Sequence, residues 1–233
     1  MEFSPPLQPA TLIKRYKRFL ADIELEDGSV VTAHCPNSGS MLGCNLPGSP
    51  VLLSLSPNPN RKLAYTWELL QVNGFWVGLN TMLPNRLAEE AILDGTITEL
   101  QGYPNLRREV AYGSERSRID ILLEGDGRRC YVEVKNVTLV EGGLALFPDA
   151  VTTRGQKHLR ELMEMVRNGD RGVLLFTVQR GDGNAVAPAD RIDPAYGSLL
   201  REAITNGVEA LAYQALVQPD QIRLTERLAV VLD

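Results

Sequence analysis

Apolar and polar positions alternate in short runs through residues 11–83. The stretch "FLADIELEDGSVVTAHC" alternates on both sides of Asp27-Gly28, a dipeptide suited to a hairpin turn. "PVLLSLS", "LAYTWELLQV" and "FWVGLNT" follow, bounded by Pro, Asn and Gly. Four or five strands within about 70 residues, with no good helix, predict a small all-β barrel or sandwich. The texture changes at "MLPNRLAEEAILDG", where Pro84-Asn85 starts a helix and Gly95 stops it. Beyond it, the pattern predicts a helix over "DAVTTRGQKHLRELMEMVRNG" and a buried strand over "GVLLFTVQR". A helix over "PAYGSLLREAITNG" and a strand over "VEALAYQALV" complete the series. Strands alternating with helices imply a mixed α/β layer, so a domain boundary is expected near residue 83.

Between these elements, "SRIDILLEGDGRRCYVEVKN" (117–136) reads as a hairpin turning at Asp126-Gly127. That turn pairs Leu122 with Tyr131, Asp120 with Glu133 and Arg118 with Lys135. One face then collects Ile119, Ile121, Leu123, Cys130, Val132 and Val134 as core. The other brings two carboxylates to a Cβ separation of about 4.5–5.5 Å, which needs compensation. A hard divalent cation such as Mg²⁺ or Mn²⁺ supplies it, and Lys135 on the same face would orient or help deprotonate a water. The competing reading is a solvated strand face of mixed charge, neutralised by Lys135 and nearby arginines. On the following helix, Gln156 falls on the stripe of Leu159, Leu162, Met163 and Val166, which points it at the sheet and the carboxylates. Arg154, Lys157, His158 and Arg160 lie near the same helix start and suit phosphates or solvent. In the earlier helix, spacing does not choose between Glu89 and Glu90 as a further acid.

Charge restricts the partners. The formal net charge is −5, which argues against a generic polyanion coat. Residues 1–83 nevertheless balance six Lys/Arg against six Asp/Glu, and basic residues cluster at 14–18, 61–62, 107–108 and 116–118. In "KRYKRF", Tyr16 and Phe19 interleave with Lys14, Arg15, Lys17 and Arg18, the combination that single-strand binders use; a first barrel strand with a basic outer face explains it equally. Cys35, Cys44 and Cys130 have no partner arithmetic for full pairing and read as reduced thiols. No apolar run spans a bilayer and the N-terminus lacks a secretory pattern, so a cytoplasmic protein without membrane contact is expected. "AHCPNSGSMLGC" lacks the ligand pairs of a zinc site; its Asn37–Ser40 turn suits backbone or phosphate contacts. Asp149 is either a fourth acid near the site or, the preferred reading, the N-cap of the next helix.

A helical Glu, an Asp and a Glu-x-Lys hairpin followed by a helix bearing Gln resembles the PD-(D/E)XK nuclease-like layout. "HCPNSGSMLG", "RKLAYTWEL", "GLNTMLPNRLAEEAI", "YGSERSRIDILL", "CYVEVKNVTL", "FPDAVTTRGQKHLREL" and "GVEALAY" together resemble the sugar fermentation stimulation protein A family, in order and along nearly the whole chain. The resemblance implies an α/β (α+β) chain: an OB-like, nucleic-acid-binding β-barrel at 1–83, then a PD-(D/E)XK nuclease-like mixed-sheet domain at 84–233. It also implies a DNA-binding protein connected with sugar (maltose) metabolism. The family pattern N-x-L-x-x-E falls on Asn85, Leu87 and Glu90. It implies Glu90, Asp120 and Glu133 as ligands of Mg²⁺ or Mn²⁺, with Lys135 and Gln156 supporting the chemistry. Lys14, Arg15, Tyr16, Lys17, Arg18, Arg154 and Lys157 are the expected nucleic-acid contacts. Two functions fit this pattern: a metal-dependent deoxyribonuclease, or a non-catalytic DNA-binding regulator on a nuclease scaffold, as monomer or homodimer.

Overall fold

The computed structural model describes residues 1–114 and 117–233, so Arg116 of the basic cluster at 116–118 lies outside the described residues. The N-terminal strands are β1 (Gln8–Tyr16), β2 (Leu20–Leu25), β3 (Val30–His34), β4 (Pro50–Leu55), β5 (Tyr65–Val72) and β6 (Phe75–Gly78). They form one sheet in the order β3-β2-β1-β4-β5-β6, closed by a parallel pairing of His34 with Thr66. Of the barrel or sandwich that the short alternating runs predict, this is the barrel, OB-like as the family resemblance implies. Its core gathers around Trp67, which is fully buried and donates from Nε1 to Leu69 O at 2.9 Å. Gly28 takes the left-handed conformation (φ +81°) that the β2–β3 turn requires.

The second domain contains α1 (Pro84–Leu93), β7 (Asn105–Tyr112), β8 (Ser117–Gly125), β9 (Arg128–Val137), β10 (Leu139–Glu141), β11 (Leu144–Phe147) and α2 (Thr153–Arg167). It continues with β12 (Arg171–Val178), β13 (Ala185–Pro188), α3 (Pro194–Thr205), β14 (Glu209–Val217) and β15 (Ile222–Val230). The nine strands form a mixed sheet in the order β10-β11-β13-β15-β14-β12-β9-β8-β7, with β9, β12 and β14 parallel at its centre. One face, including Ile121, Val132, Val134 and Val173, packs under α1 and against Leu52 and Leu69 of the barrel. The other face packs under α2 and α3. The three anticipated helices and the strands β12 and β14 form where the pattern puts them. The edge strand β7 carries few buried positions, β10, β11 and β13 are only three or four residues long, and the pattern does not single out β15 either.

Barrel and sheet are joined at several points. Val77 on β6 bridges to Arg180, and Gly78 N donates to Gln179 O at 3.0 Å. A Cβ on Gly78 would stand 2.1 Å from Gln179 Oε1, so any larger residue would displace the Gln179 side chain. The first residues also dock on the second sheet, where Phe3 N donates to Asp220 O. Asp149 corrects an expectation: Thr152, accepting from Gly155 N at 3.0 Å, is the N-cap of α2. The Asp149 carboxylate instead accepts from Ser40 Oγ and Met41 N, tying the barrel's Asn37–Ser40 loop to the second domain.

Candidate metal and nucleic-acid site

The hairpin turns at Asp126-Gly127, and both residues have positive φ (+51° and +73°) as a two-residue turn requires. Leu122 pairs with Tyr131 and Ile121 with Val132, the register read from the turn. The ladder stops there. Asp120 lies one residue further, and its Oδ2 accepts from Val134 N at 2.8 Å. The strand is irregular at this point, because Glu109 opposite takes a φ of +53°. Ile119 consequently packs on the α2 side of the sheet, not with Ile121 as alternation predicts.

The charged face is not a solvated one. Leu122 and Tyr131 are buried beneath α2, and Glu133 is only 2% exposed. Asp120, Glu133 and Lys135 line one cleft of about 430 Å³ together with Asn85, Arg108, Arg154 and His158. Asn85, in the first turn of α1, donates to Asp120 Oδ1 at 2.8 Å. Lys135 Nζ donates to Glu133 Oε1 at 2.8 Å, and His158 Nδ1 meets the same oxygen. Arg154 Nε lies 3.4 Å from His158 Nε2, and Lys135 Nζ lies 3.2 Å from His158 Nδ1. Lys135 and His158 thus converge on Oε1, while Glu133 Oε2 is buried with no hydrogen-bond partner among the described residues.

The electrostatics separate the two acids. Burial and then the Glu133 charge push the Asp120 carboxyl up to about 6, against the Val134 N–H and the Asn85 amide. Burial also works to raise Glu133, but Lys135 and His158 overcome it and hold that carboxyl below its ordinary value. The cleft therefore contains one firm carboxylate and a second whose ionisation is opposed by the first. An orphaned buried oxygen beside a carboxyl that resists ionisation is a donor set a hard divalent cation fits.

The structure departs from expectation at two site residues. Glu90 faces away from the cleft: its carboxylate pairs with the Met1 ammonium at 2.8 Å and with Arg86 at 2.9 Å. Glu89, one turn after Asn85, lies nearer and pairs with the cleft residue Arg108 at 3.2 Å. Gln156 does not reach the carboxylates because its amide donates to Asp193, the N-cap of α3. His158 takes that position. It lies four residues before Leu162 on the buried stripe of α2, a signal present in the sequence but shared with Gln156. Lys157 is half-buried on the same helix, and Arg154 is exposed at the cleft.

On the barrel, a bulge between Leu12 and Lys14 shifts the side-chain phase of β1. Arg15 consequently turns onto the neighbouring loops and donates to the carbonyls of Arg18, Asn37, Gly39 and Ser40. Asp22 accepts from Tyr16 Oη at 2.9 Å and pairs with Lys14 at 3.5 Å. Lys17, Arg18 and Phe19 are exposed at the β1–β2 turn.

Fold and cleft define a two-domain class: an OB-like barrel fused to a mixed α/β sheet with an acid–lysine cleft. The particular family follows from comparison. The family model for the "SfsA N-terminal OB domain" matches residues 13–79, and that for the "Sugar fermentation stimulation protein RE domain" matches residues 82–221. The chain belongs to the sugar fermentation stimulation protein family. It is 72% identical over 232 residues to the "Sugar fermentation stimulation protein homolog" of Geobacter metallireducens, covering 100% of both chains. It is 71% identical over 226 residues to that of Geobacter sulfurreducens, covering 97% of each. The solved structure of Pyrococcus furiosus SfsA in complex with Ca²⁺ superposes with a TM-score of 0.89 at 28% identity, covering 99% of this chain and 98% of the other. No described helix is long and apolar enough to cross a membrane.

Proposed function

We propose that this protein is a cytoplasmic DNA-binding protein whose cleft is a divalent-metal-dependent, nuclease-like phosphodiesterase site. The observation that carries the reading is the pair of Asp120 and Glu133 in one cleft, with Glu133 Oε2 buried and without a partner among the described residues. Asp120 and Glu133 would hold Mg²⁺ or Mn²⁺, and the Ca²⁺ complex of the Pyrococcus relative supports a hard cation in this family. Such a cation supplies Lewis-acid polarisation of a phosphoryl oxygen and activation of water.

The remaining chemistry belongs to the protein. Asn85 fixes the rotamer of Asp120. Lys135 and His158 hold Glu133 by one oxygen and leave the other for the cation. The Lys135 ammonium would then shift toward the phosphate as negative charge builds there. Arg108 and Arg154 line the cleft and would draw the backbone in, with Lys14, Lys17 and Arg18 of the barrel extending the basic path. Any bearing on sugar (maltose) metabolism would run through that DNA.

The test is cleavage of labelled single-stranded, duplex and branched DNAs in Mn²⁺, Mg²⁺ or EDTA, comparing wild type with Lys135→Ala. Metal-dependent cutting that the substitution abolishes supports the reading. Salt-sensitive binding without cutting would instead make the protein a DNA-binding regulator on a nuclease scaffold.

A further inference from the structure

Two further hollows border the acid cleft. A polar hollow of about 230 Å³ shares Thr81 and Asn136 with it. A chamber of about 740 Å³ shares Met82. The three lie around residues 80–82 at the junction of the domains. Met82 is 76% exposed and lines both chamber and cleft.

The chamber has the chemistry of a base pocket. Leu55 and Leu83 contribute apolar wall. Glu68, 7% exposed, accepts from Ser54 Oγ at 2.7 Å and Asn80 Nδ2 at 2.8 Å. His34 also lines it, and its Nδ1 is buried with no hydrogen-bond partner among the described residues. The exposed Arg61 adds positive charge. Apolar walls, a polar floor and a nearby guanidinium suit a flat heteroaromatic ring attached to a phosphate. A paired and stacked base in a duplex has its Watson–Crick edge and both faces occupied and cannot enter such a pocket.

A short segment connects chamber and acids. Asn80 is bonded to Glu68 and accepts from Met82 N at 3.0 Å, while Asn85 donates to Asp120. The distance from chamber floor to acid is thereby set by six residues of bonded chain, Asn80 to Asn85.

We propose that the chamber receives one unpaired nucleobase of a strand whose neighbouring phosphate lies at Asp120 and Glu133, so that the protein selects single-stranded over duplex nucleic acid. This rests on the nucleic-acid reading of the cleft and names its substrate class. The strand crosses Met82 and leaves through the hollow beside Thr81 and Asn136.

The experiment is fluorescence anisotropy of a labelled oligonucleotide, single-stranded or annealed to its complement, in Ca²⁺. The proteins are wild type, Leu55→Ala and Arg61→Ala, both outside the acid cleft, with thermal melting to verify that these exposed substitutions leave the fold intact. The expected result is tighter single-strand binding that each substitution weakens by about tenfold, with duplex binding changed by less than about twofold. Equal binding of both forms, equal weakening on both, or indifference to the substitutions would overturn the base chamber while leaving the nucleic-acid reading standing. Binding to neither form would overturn both. Single-strand selectivity without metal-dependent cutting would support the chamber and remove only the nuclease step.

Discussion

Asp120 Oδ2 accepts the backbone N–H of Val134 at 2.8 Å, so a side chain closes the hairpin where a carbonyl would otherwise have done so. The substitution of carboxylate for carbonyl brings an acid to the bottom of the cleft and ends the β8–β9 ladder in the same step. It also fixes a pH dependence. The Asp120 carboxyl titrates at about 6 in the folded chain against an ordinary value of 3.8. The folded state therefore binds this proton more tightly than the unfolded one. Stability from this group is fully present below about pH 4 and is lost as pH rises through about 6. Facing it are Glu133 and Lys135 of β9 and Asn85 of α1. Asp120→Asn keeps an acceptor for Val134 and removes the ionisation. The variant is expected to gain on wild type by roughly 1–3 kcal/mol between pH 4 and pH 7 in urea unfolding without added metal.

The Glu133–Lys135 pair is buried, with side-chain exposures of 3% and 11%. Glu133→Gln strips Lys135 of its counter-charge and is expected to cost about 3 kcal/mol or more. Adding Lys135→Met should return at least half of that loss. A double-mutant cycle by chemical denaturation measures the coupling directly.

Arg15 on β1 and the basic residues of the turn that follows divide by role. Arg15 donates to four loop carbonyls, so Arg15→Ala should lower stability by about 1–3 kcal/mol. Lys17→Ala with Arg18→Ala should leave the melting temperature unchanged. That pair should instead flatten the salt dependence of DNA binding, by roughly 0.7–0.9 in slope for each phosphate left without its cation. Melting curves and salt titrations of the two variants separate these outcomes.

Asp149 connects the domains through Ser40 and Met41. Asp149→Ala leaves the Thr152 cap in place, so α2 should persist in hydrogen exchange. The Asn37–Ser40 loop should exchange faster, and the chain should lose about 1–3 kcal/mol.

Much of this site is legible in the sequence because a two-residue turn leaves little freedom of register. Asp126-Gly127 fixes which residues oppose one another as far as Ile121–Val132, and the Asp120/Glu133 pair expected next in the ladder does not form, although both side chains line the same cleft. The same alternation misplaces Ile119, because it knows nothing of the kink at Glu109. Helix periodicity places both Gln156 and His158 near the buried stripe of α2, yet only the position of Asp193 on α3 decides which one is drawn away. Glu90 is likewise decided from outside its own helix, by the Met1 ammonium. The bulge in β1 hides the true direction of Arg15. In each case the deciding partner or distortion lies outside the local pattern, which carries no information about it.

The cleft stands or falls as a metal site on Asp120 and Glu133 holding one divalent cation between them. Calorimetric titration of the protein with Mn²⁺ tests this most directly, using wild type, Asp120→Asn and Glu133→Gln at about pH 7.5, above the range in which Asp120 titrates. One saturable Mn²⁺ site in wild type, abolished or weakened by about a hundredfold in both variants, is the expected result. No binding by wild type, or binding that both variants retain, would contradict it.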